Sequence, residues 1–408
     1  MTAVIASRES SSTPHAAPAS TAVPPRLRSL RCLDDFEQAA RLRLPRPIFG
    51  YLAEAAETKR SLRGNRECFD DYGFVPRVMI DVSRRTTATA LLGHEYAAPF
   101  GMAPMGISAL YAYRGDLVLA RAAAQANIPM IMSSSSLIRM EDVAGEKLGA
   151  WFQAYLPGDA DSVAALAERI ARAGFTNLVL TVDTPTTPNP ENFARNGFSS
   201  PLRPSLRLFW EGVTHPRWLF GTFLRTFARH GVPHFENNYA RRGAPILSSS
   251  VTRDFSDRGH LNWEHFALLR GMWRGKIIVK GILHEQDARI ARDMGADGII
   301  VSNHGGRQLD GAVAPLRVLP GIVKACPEIP VMLDGGIRRG TDVIKALALG
   351  AKFVFVGRPF GFALAVGGAQ GVTHAVNLLA QEVSRNMAML GITRLDELDA
   401  DMHLFRNR

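Results

Sequence analysis

From residue 99 onward, short apolar runs alternate with segments whose apolar residues recur every three and four positions. The runs are PFGMAP (99–104), IPMIMSS (128–134), AWFQAY (150–155), NLVLTVD (177–183), KIIVK (276–280), GIIVS (298–302), PVMLD (330–334) and KFVFVG (352–357). Between them lie DLVLARAAAQA (116–126), DSVAALAERIARAG (161–174), HEQDARIARDMG (284–295) and GTDVIKALALG (340–350), which carry the helical period. Eight strands alternating with helices predict an α/β chain folded as a (β/α)8 TIM barrel. A doubly wound open sheet is the runner-up, but it has no reason to carry eight strands.

Two regions fall outside this alternation. Residues 29–98 are expected to form a helical N-terminal segment leading into the barrel. Residues 184–262 form a long insertion after the fourth strand, and loops of that length are usually functional or disordered. Residues 1–28, rich in Ser, Pro and Ala, read as a disordered tail, so the folded domain is expected over 29–408. No internal repeat is visible beyond the strand–helix period.

Composition narrows the picture. The chain has 408 residues, 46% of them hydrophobic, enough for a large core; barrels of this size fold as one domain. The formal net charge of +10 favours anionic partners without choosing among acidic substrates, phosphates, lipid or nucleic acid. Cys32, Cys68 and Cys326 are few and far apart, which fits neither a disulfide framework nor a zinc site. No run approaches the roughly 18 apolar residues of a membrane span, and the start lacks a secretory apolar core. The expected location is the cytoplasm, with peripheral contact at the inner face of the cell membrane.

In a barrel, chemistry sits at the C-terminal ends of the strands. Those ends hold Ala103-Pro104-Met105, Ser133-Ser134, Gln153 and Tyr155, Thr181 and Asp183, Lys280, Ser302 to Arg307, Asp334 to Gly336, and Gly357-Arg358. Every strand but the first ends in a side chain able to bond a polar ligand. A barrel built only for stability would show such groups at a few ends. The sixth end is the densest: SNHGGRQLDG offers a general base (His304), a fixed cation (Arg307) and two glycines that let a ligand approach the backbone. The last two, LDGGIRRGTDV and VGRPF, place Gly335, Gly336, Arg338, Gly357 and Arg358 where helices begin, a cradle for a cofactor phosphate.

SNHGGRQLDG, VKG (279–281), LTVDTP (180–185), LDGGIRRGTDV and VGRP occur in the order found in the FMN-dependent 2-hydroxy acid oxidising enzymes, which the chain resembles from about residue 30 to its end. That family includes glycolate oxidase, L-lactate oxidases and dehydrogenases, and mandelate dehydrogenase. The resemblance implies FMN as cofactor and oxidation of a small L-2-hydroxy acid to the 2-oxo acid. It implies His304 as catalytic base and Asp183 as the carboxylate that orients it. Arg307 would grip the substrate carboxylate, with Tyr51 and Tyr155 bonding substrate. Lys280 would stand beside the flavin N1–O2 edge, and Ser133, Gln153 and Thr181 would bond the isoalloxazine. A homo-oligomer, as a tetramer, is also implied.

Three departures bear on substrate and acceptor. The position of a second carboxylate-binding arginine holds Pro190, with Arg195 five residues on. Ser135 replaces the tryptophan of glycolate oxidase, so a substrate larger than glycolate, lactate- or mandelate-like, is expected. Gly106 stands where typical oxidases carry alanine, as on the dehydrogenase side of the family, which leans towards a quinone or another carrier as electron acceptor. The alternative is a soluble, oxygen-using oxidase that releases hydrogen peroxide; a non-redox FMN barrel or an inactive flavin-binding scaffold is more remote, because His304, Asp183, Lys280 and Arg307 are all present. In the insertion, residues 201–242 hold seven arginines against Glu211 and Glu236, interleaved with Trp210, Trp218, Phe220, Phe223 and Phe227. That mixture suits peripheral contact with an anionic membrane. A loop folded over the barrel, or a subunit contact, fits as well. No nucleic-acid recognition module accompanies it, and no nucleic-acid partner is expected.

Overall fold

The computed structural model describes residues 23–249 and 258–407. All eight expected strands form: β1 (Phe100–Met102), β2 (Ile131–Ser133), β3 (Trp151–Ala154), β4 (Asn177–Thr181), β5 (Lys276–Ile282), β6 (Gly298–Val301), β7 (Val331–Asp334) and β8 (Phe353–Val356). They pair in parallel from β2 in sequence to β8, and β8 pairs with β1. A parallel bridge from Met102 to Met130 joins β1 to the start of β2, and the ring closes as a TIM barrel.

One face of each strand from β2 to β8 fills the barrel. Ile131, Trp151, Val179, Ile278, Ile300, Met332, Phe353 and Phe355 form a single buried cluster inside it. The opposite face packs under the helices, with Met102, Met132, Phe152, Leu180, Val279 and Leu333 among its buried members. Helices cover the expected stretches as Gly115–Gln125, Ala160–Ala173, Glu285–Asp293 and Gly340–Ala348. The long helix after β8, Arg358–Leu390, is by length and composition apolar enough to cross a bilayer, yet it is a core element that buries Phe360, Phe362, Leu364 and Leu379, with a break in helical geometry at Gly368.

The N-terminal segment is helical only in its first half. Asp35–Arg43, Arg46–Ala53 and Arg60–Glu67 are helices, but Tyr72–Phe74 pairs antiparallel with Leu404–Arg406, and Thr89–Leu91 forms a hairpin with His94–Tyr96. Leu91 and Tyr96 of that hairpin join the inner cluster and stopper the N-terminal end of the barrel. The tail expected through residue 28 ends sooner: Pro25–Leu27 form a 3-10 turn and Leu27 is buried, because its side chain packs against the long helix at Gly367. The rest of that tail, residues 1–22, lies outside the described residues. Within the insertion, Glu191–Arg195, Leu206–Thr214 and a continuous helical stretch running from Pro216 to His230 are regular.

Candidate active site

The C-terminal strand ends surround a cleft of about 870 Å³. His304 lies in a 3-10 turn just after β6, and its Nδ1 is 2.8 Å from Asp183 Oδ1, just past β4. A carboxylate accepts, so Nδ1 carries the hydrogen and Nε2 is turned away from Asp183 as the ring's basic nitrogen. Burial alone would raise the Asp183 carboxyl. The charge and hydrogen bond of His304, with Lys280 behind them, outweigh that and hold it below its ordinary value.

Lys280, Ser302 and Asp334 knit β5, β6 and β7 together. Lys280 Nζ donates to Ser302 Oγ at 2.9 Å and lies 3.0 Å from Asp334 Oδ2. Ser302 Oγ also accepts from the His304 backbone N–H at 3.0 Å and donates to Asp334 Oδ1. Lys280 is 3% exposed and Asp334 7%, so this is a buried cation whose partners cross three strands.

Arg307 is a fixed cation. Its Nη1 donates to the backbone carbonyls of Tyr51 (2.8 Å) and Glu54 (3.2 Å), and the guanidinium stacks 4.8 Å from the Tyr51 ring and 5.1 Å from Phe193. Tyr51 comes from the helix Arg46–Ala53 and packs against Phe198. Gly106 gives its hydroxyl room: a Cβ at 106 would come within 2.7 Å of Tyr51 Oη.

The remaining wall fits a flavin mononucleotide. Gln153 Nε2 and Thr181 Oγ1 are buried without partners among the described residues, polar atoms that call for a polar ligand. Ser133 Oγ donates to Gln153 Oε1 at 3.2 Å, which leaves the Gln153 amide nitrogen directed to the cleft that Ala103, Pro104 and Met105 also line. Gly335 and Gly336 follow β7 in left-handed conformations. A Cβ on Gly336 would stand 1.8 Å from Asn65 O, so only glycine allows this loop to press against the helix Arg60–Glu67. Gly357 precedes the N-terminus of the long helix.

Arg338 is buried here and Arg358 is partly buried. Arg358 donates to Gly305 O and Glu54 O, both at 2.9 Å, and its Nε has no partner among the described residues. Burial and the neighbouring charges of Arg307 and Arg338 push its pKa down to about 9. Burial and Arg66 likewise depress Arg338, whose guanidinium Nε is 3.6 Å from the Asp34 carboxylate. Arginines keep their protons at neutral pH. Desolvated beside other cations, and with Arg358 Nε unpartnered among the described residues, this corner suits an anion, and an FMN phosphate would fit it.

A family profile for FMN-dependent dehydrogenase matches residues 40–405. The chain belongs to that family. As such an enzyme it takes FMN as cofactor and acts as an oxidoreductase on CH–OH donors of the 2-hydroxy acid class. The chain is 38% identical over 374 residues to an L-lactate dehydrogenase of Caulobacter sp. (strain K31), covering 90% of this chain and 96% of that one. It is 35% identical over 370 residues to the (S)-mandelate dehydrogenase of Pseudomonas putida, covering 90% and 92%. Among solved structures, the monotopic membrane protein (S)-mandelate dehydrogenase superposes with a TM-score of 0.83 at 34% identity, over 93% of this chain and all of that one. A mandelate oxidase variant with benzoylformic acid gives 0.75 at 34% identity, over 92% and 99%.

For this FMN-dependent dehydrogenase, the expected site residues converge, and one substitute does not. Arg195 is 68% exposed, lies outside the cleft, and bonds Asn192 and Glu191. Pro190 merely precedes its helix. Several contributors carry no signal in the spacing of motifs. Asn65 and Asn303 exchange amide hydrogen bonds of 2.7 Å that hold the β6 loop to the N-terminal segment. Tyr111 lines the cleft and donates to Gly106 O. Arg258, where the insertion returns, lies over the ring of Tyr155.

Proposed function

We propose that this enzyme oxidises an L-2-hydroxy acid larger than glycolate, lactate- or mandelate-like, and that its electrons leave to a membrane quinone or another carrier. The carrying observation is that His304, paired with Asp183, lines the same cleft as the stacked Arg307. His304 Nε2 takes the proton of the substrate hydroxyl, and Asp183 balances the imidazolium that forms. Arg307 holds the carboxylate with Tyr51 and Tyr155. FMN, when bound, accepts the two electrons leaving carbon 2. Lys280 keeps a positive charge at the strand-five end, fixed there by Asp334 and Ser302.

Size selection follows from Ser135 and Gly106, two small residues in the cleft wall where bulk would shorten it. The acceptor reading is supported by the insertion. Leu206, Phe209, Trp210 and Val213 are exposed at helical spacing on Leu206–Thr214, and Phe220, Leu224 and Phe227 continue outward on the next helical stretch. Arginines 203, 207, 217, 225 and 229 flank them. Such a face suits an anionic bilayer, and a monotopic membrane protein is among the similar structures.

The test is anaerobic bleaching of the flavin absorbance by glycolate, L-lactate and (S)-mandelate, followed by air or a quinone analogue. Expected is faster bleaching by lactate or mandelate than by glycolate, and faster recovery with the quinone. Preference for glycolate would overturn the size argument. Rapid recovery in air with hydrogen peroxide would make the protein an oxidase.

A further inference from the structure

Arg307 reaches the cleft directly, but neither Pro190 nor Arg195 brings a second cation to it. Another arginine approaches from a different direction. Arg258 stands where the insertion rejoins the barrel, and its guanidinium carbon is 4.5 Å from the centroid of the Tyr155 ring. Tyr155 lines the cleft just past β3. Arg258 also borders an adjoining cleft of about 920 Å³, which shares Thr181 with the first and is walled by Leu261, Trp263 and Phe266. The guanidinium is thus partly desolvated, and burial depresses its pKa while the nearby Tyr155 and Tyr239 oppose that.

We propose that Arg258 is a positioning residue for substrate recognition, acting through Tyr155. A cation over a phenol face is held by the ring quadrupole and fixes the ring plane. It also stabilises negative charge developing on the phenol oxygen, so the Tyr155 O–H becomes a stronger donor to an incoming carboxylate. A planar guanidinium suits the task, because it stacks where an ammonium would only point. The long insertion then has a role inside the site as well as on the surface: the turn at its return places charge behind a substrate-bonding tyrosine. This rests on the reading of Tyr155 as substrate-bonding.

The experiment titrates oxalate into the oxidised, FMN-loaded enzyme and follows the visible flavin spectrum. It compares the wild type with R258M, R258K, Y155F and the double variant. R258M is expected to weaken oxalate on the order of tenfold and R258K by less. In turnover, KM for the hydroxy acid should rise more than kcat falls. In the Y155F background R258M should add little, because the coupling runs through the hydroxyl. Oxalate affinity unchanged in R258M overturns the proposal, as does a loss that is the same with and without the Tyr155 hydroxyl. If R258M cannot hold FMN, R258K decides, and wild-type affinity there overturns it. Wild-type affinity in Y155F would instead overturn the substrate reading of Tyr155, a separate failure.

Discussion

His304 has a φ of 57°, a left-handed conformation that disfavours any residue with a Cβ. Gly305 and Gly306 continue the same hand, so the chain makes three left-handed steps in succession. Strain on the order of 1–2 kcal/mol at a base persists only where neighbours fix it. Here they do: the His304 N–H is bound by Ser302, the ring by Asp183, and the turn by Asn303 accepting from Gly306 N. His304→Ala should therefore leave FMN bound and cut the rate of flavin bleaching by substrate at least about 100-fold, the usual worth of a general base. A variant that keeps more than about a tenth of the rate removes His304 from the mechanism. Asp183→Asn should slow the same step, and it carries a stability signature with a defined sign. The folded carboxyl is depressed below 3.8, so its stabilisation is present above that value and lost as pH falls through the lower folded value. The stability gap between wild type and Asp183→Asn, measured by urea unfolding of the holoenzyme, should be open at pH 7 and close below about pH 4.

At the scale of elements, the eight strand ends act as a division of labour. β4 to β6 end in Asp183, Lys280, His304 and Arg307, while β7 and β8 end in two glycine turns and two arginines that on the proposed reading would cradle the FMN phosphate. Arg358 opens the long helix and reaches back to Gly305 O, so the cradle also props the β6 loop. Arg358→Ala should raise the dissociation constant of FMN by roughly 10- to 100-fold, the worth of one charge-assisted contact, while the fraction still loaded bleaches at a rate within a few-fold of wild type. Equilibrium dialysis checks the first part and stopped-flow the second; undiminished FMN retention would detach Arg358 from the phosphate. These elements were legible in the sequence because buried strands write unbroken apolar runs and their helices write the 3.6-residue period. His304, Asp183, Arg307 and Lys280 were legible because each stands at a strand end. The hairpin Thr89–Leu91/His94–Tyr96 was not, since three-residue strands leave no periodicity, and what makes them form is the open barrel end they fill. Nor were the Lys280–Asp334 pair and the Arg258–Tyr155 stack, which depend on contacts between strands and across the insertion that no local spacing encodes.

Over the whole molecule, contacts link the exposed aromatic face of the insertion to the loop that walls the cleft. Trp218 donates to Leu110 O at 2.7 Å, Arg225 stacks 4.0 Å over Tyr113, and Tyr113 bonds His230 at 3.0 Å. All three contacts fasten the helical stretch of the insertion to the loop after β1, whose first residues wall the cleft. A bilayer under Phe209, Trp210, Phe220 and Phe227 would therefore lie against an element that touches the cleft wall, where a lipid-soluble acceptor could approach. Phe209, Trp210 and Phe220 are each about two-thirds exposed, a cost in water that burial in an interface would reverse. Each arginine near an anionic surface adds on the order of 1 kcal/mol, so aromatic burial and charge act together. The holoenzyme should float with vesicles containing phosphatidylglycerol, less with purely zwitterionic ones, and less as salt rises through the range where the Debye length shrinks below about 10 Å. Replacing Phe209, Trp210, Phe220 and Phe227 by serine should abolish flotation while anaerobic bleaching by substrate stays within a few-fold, because none of the four lines the cleft. Vesicle binding that survives these four substitutions would move the membrane contact elsewhere on the protein. No binding by the wild type at low salt would make the exposed stripe an interface for another protein surface.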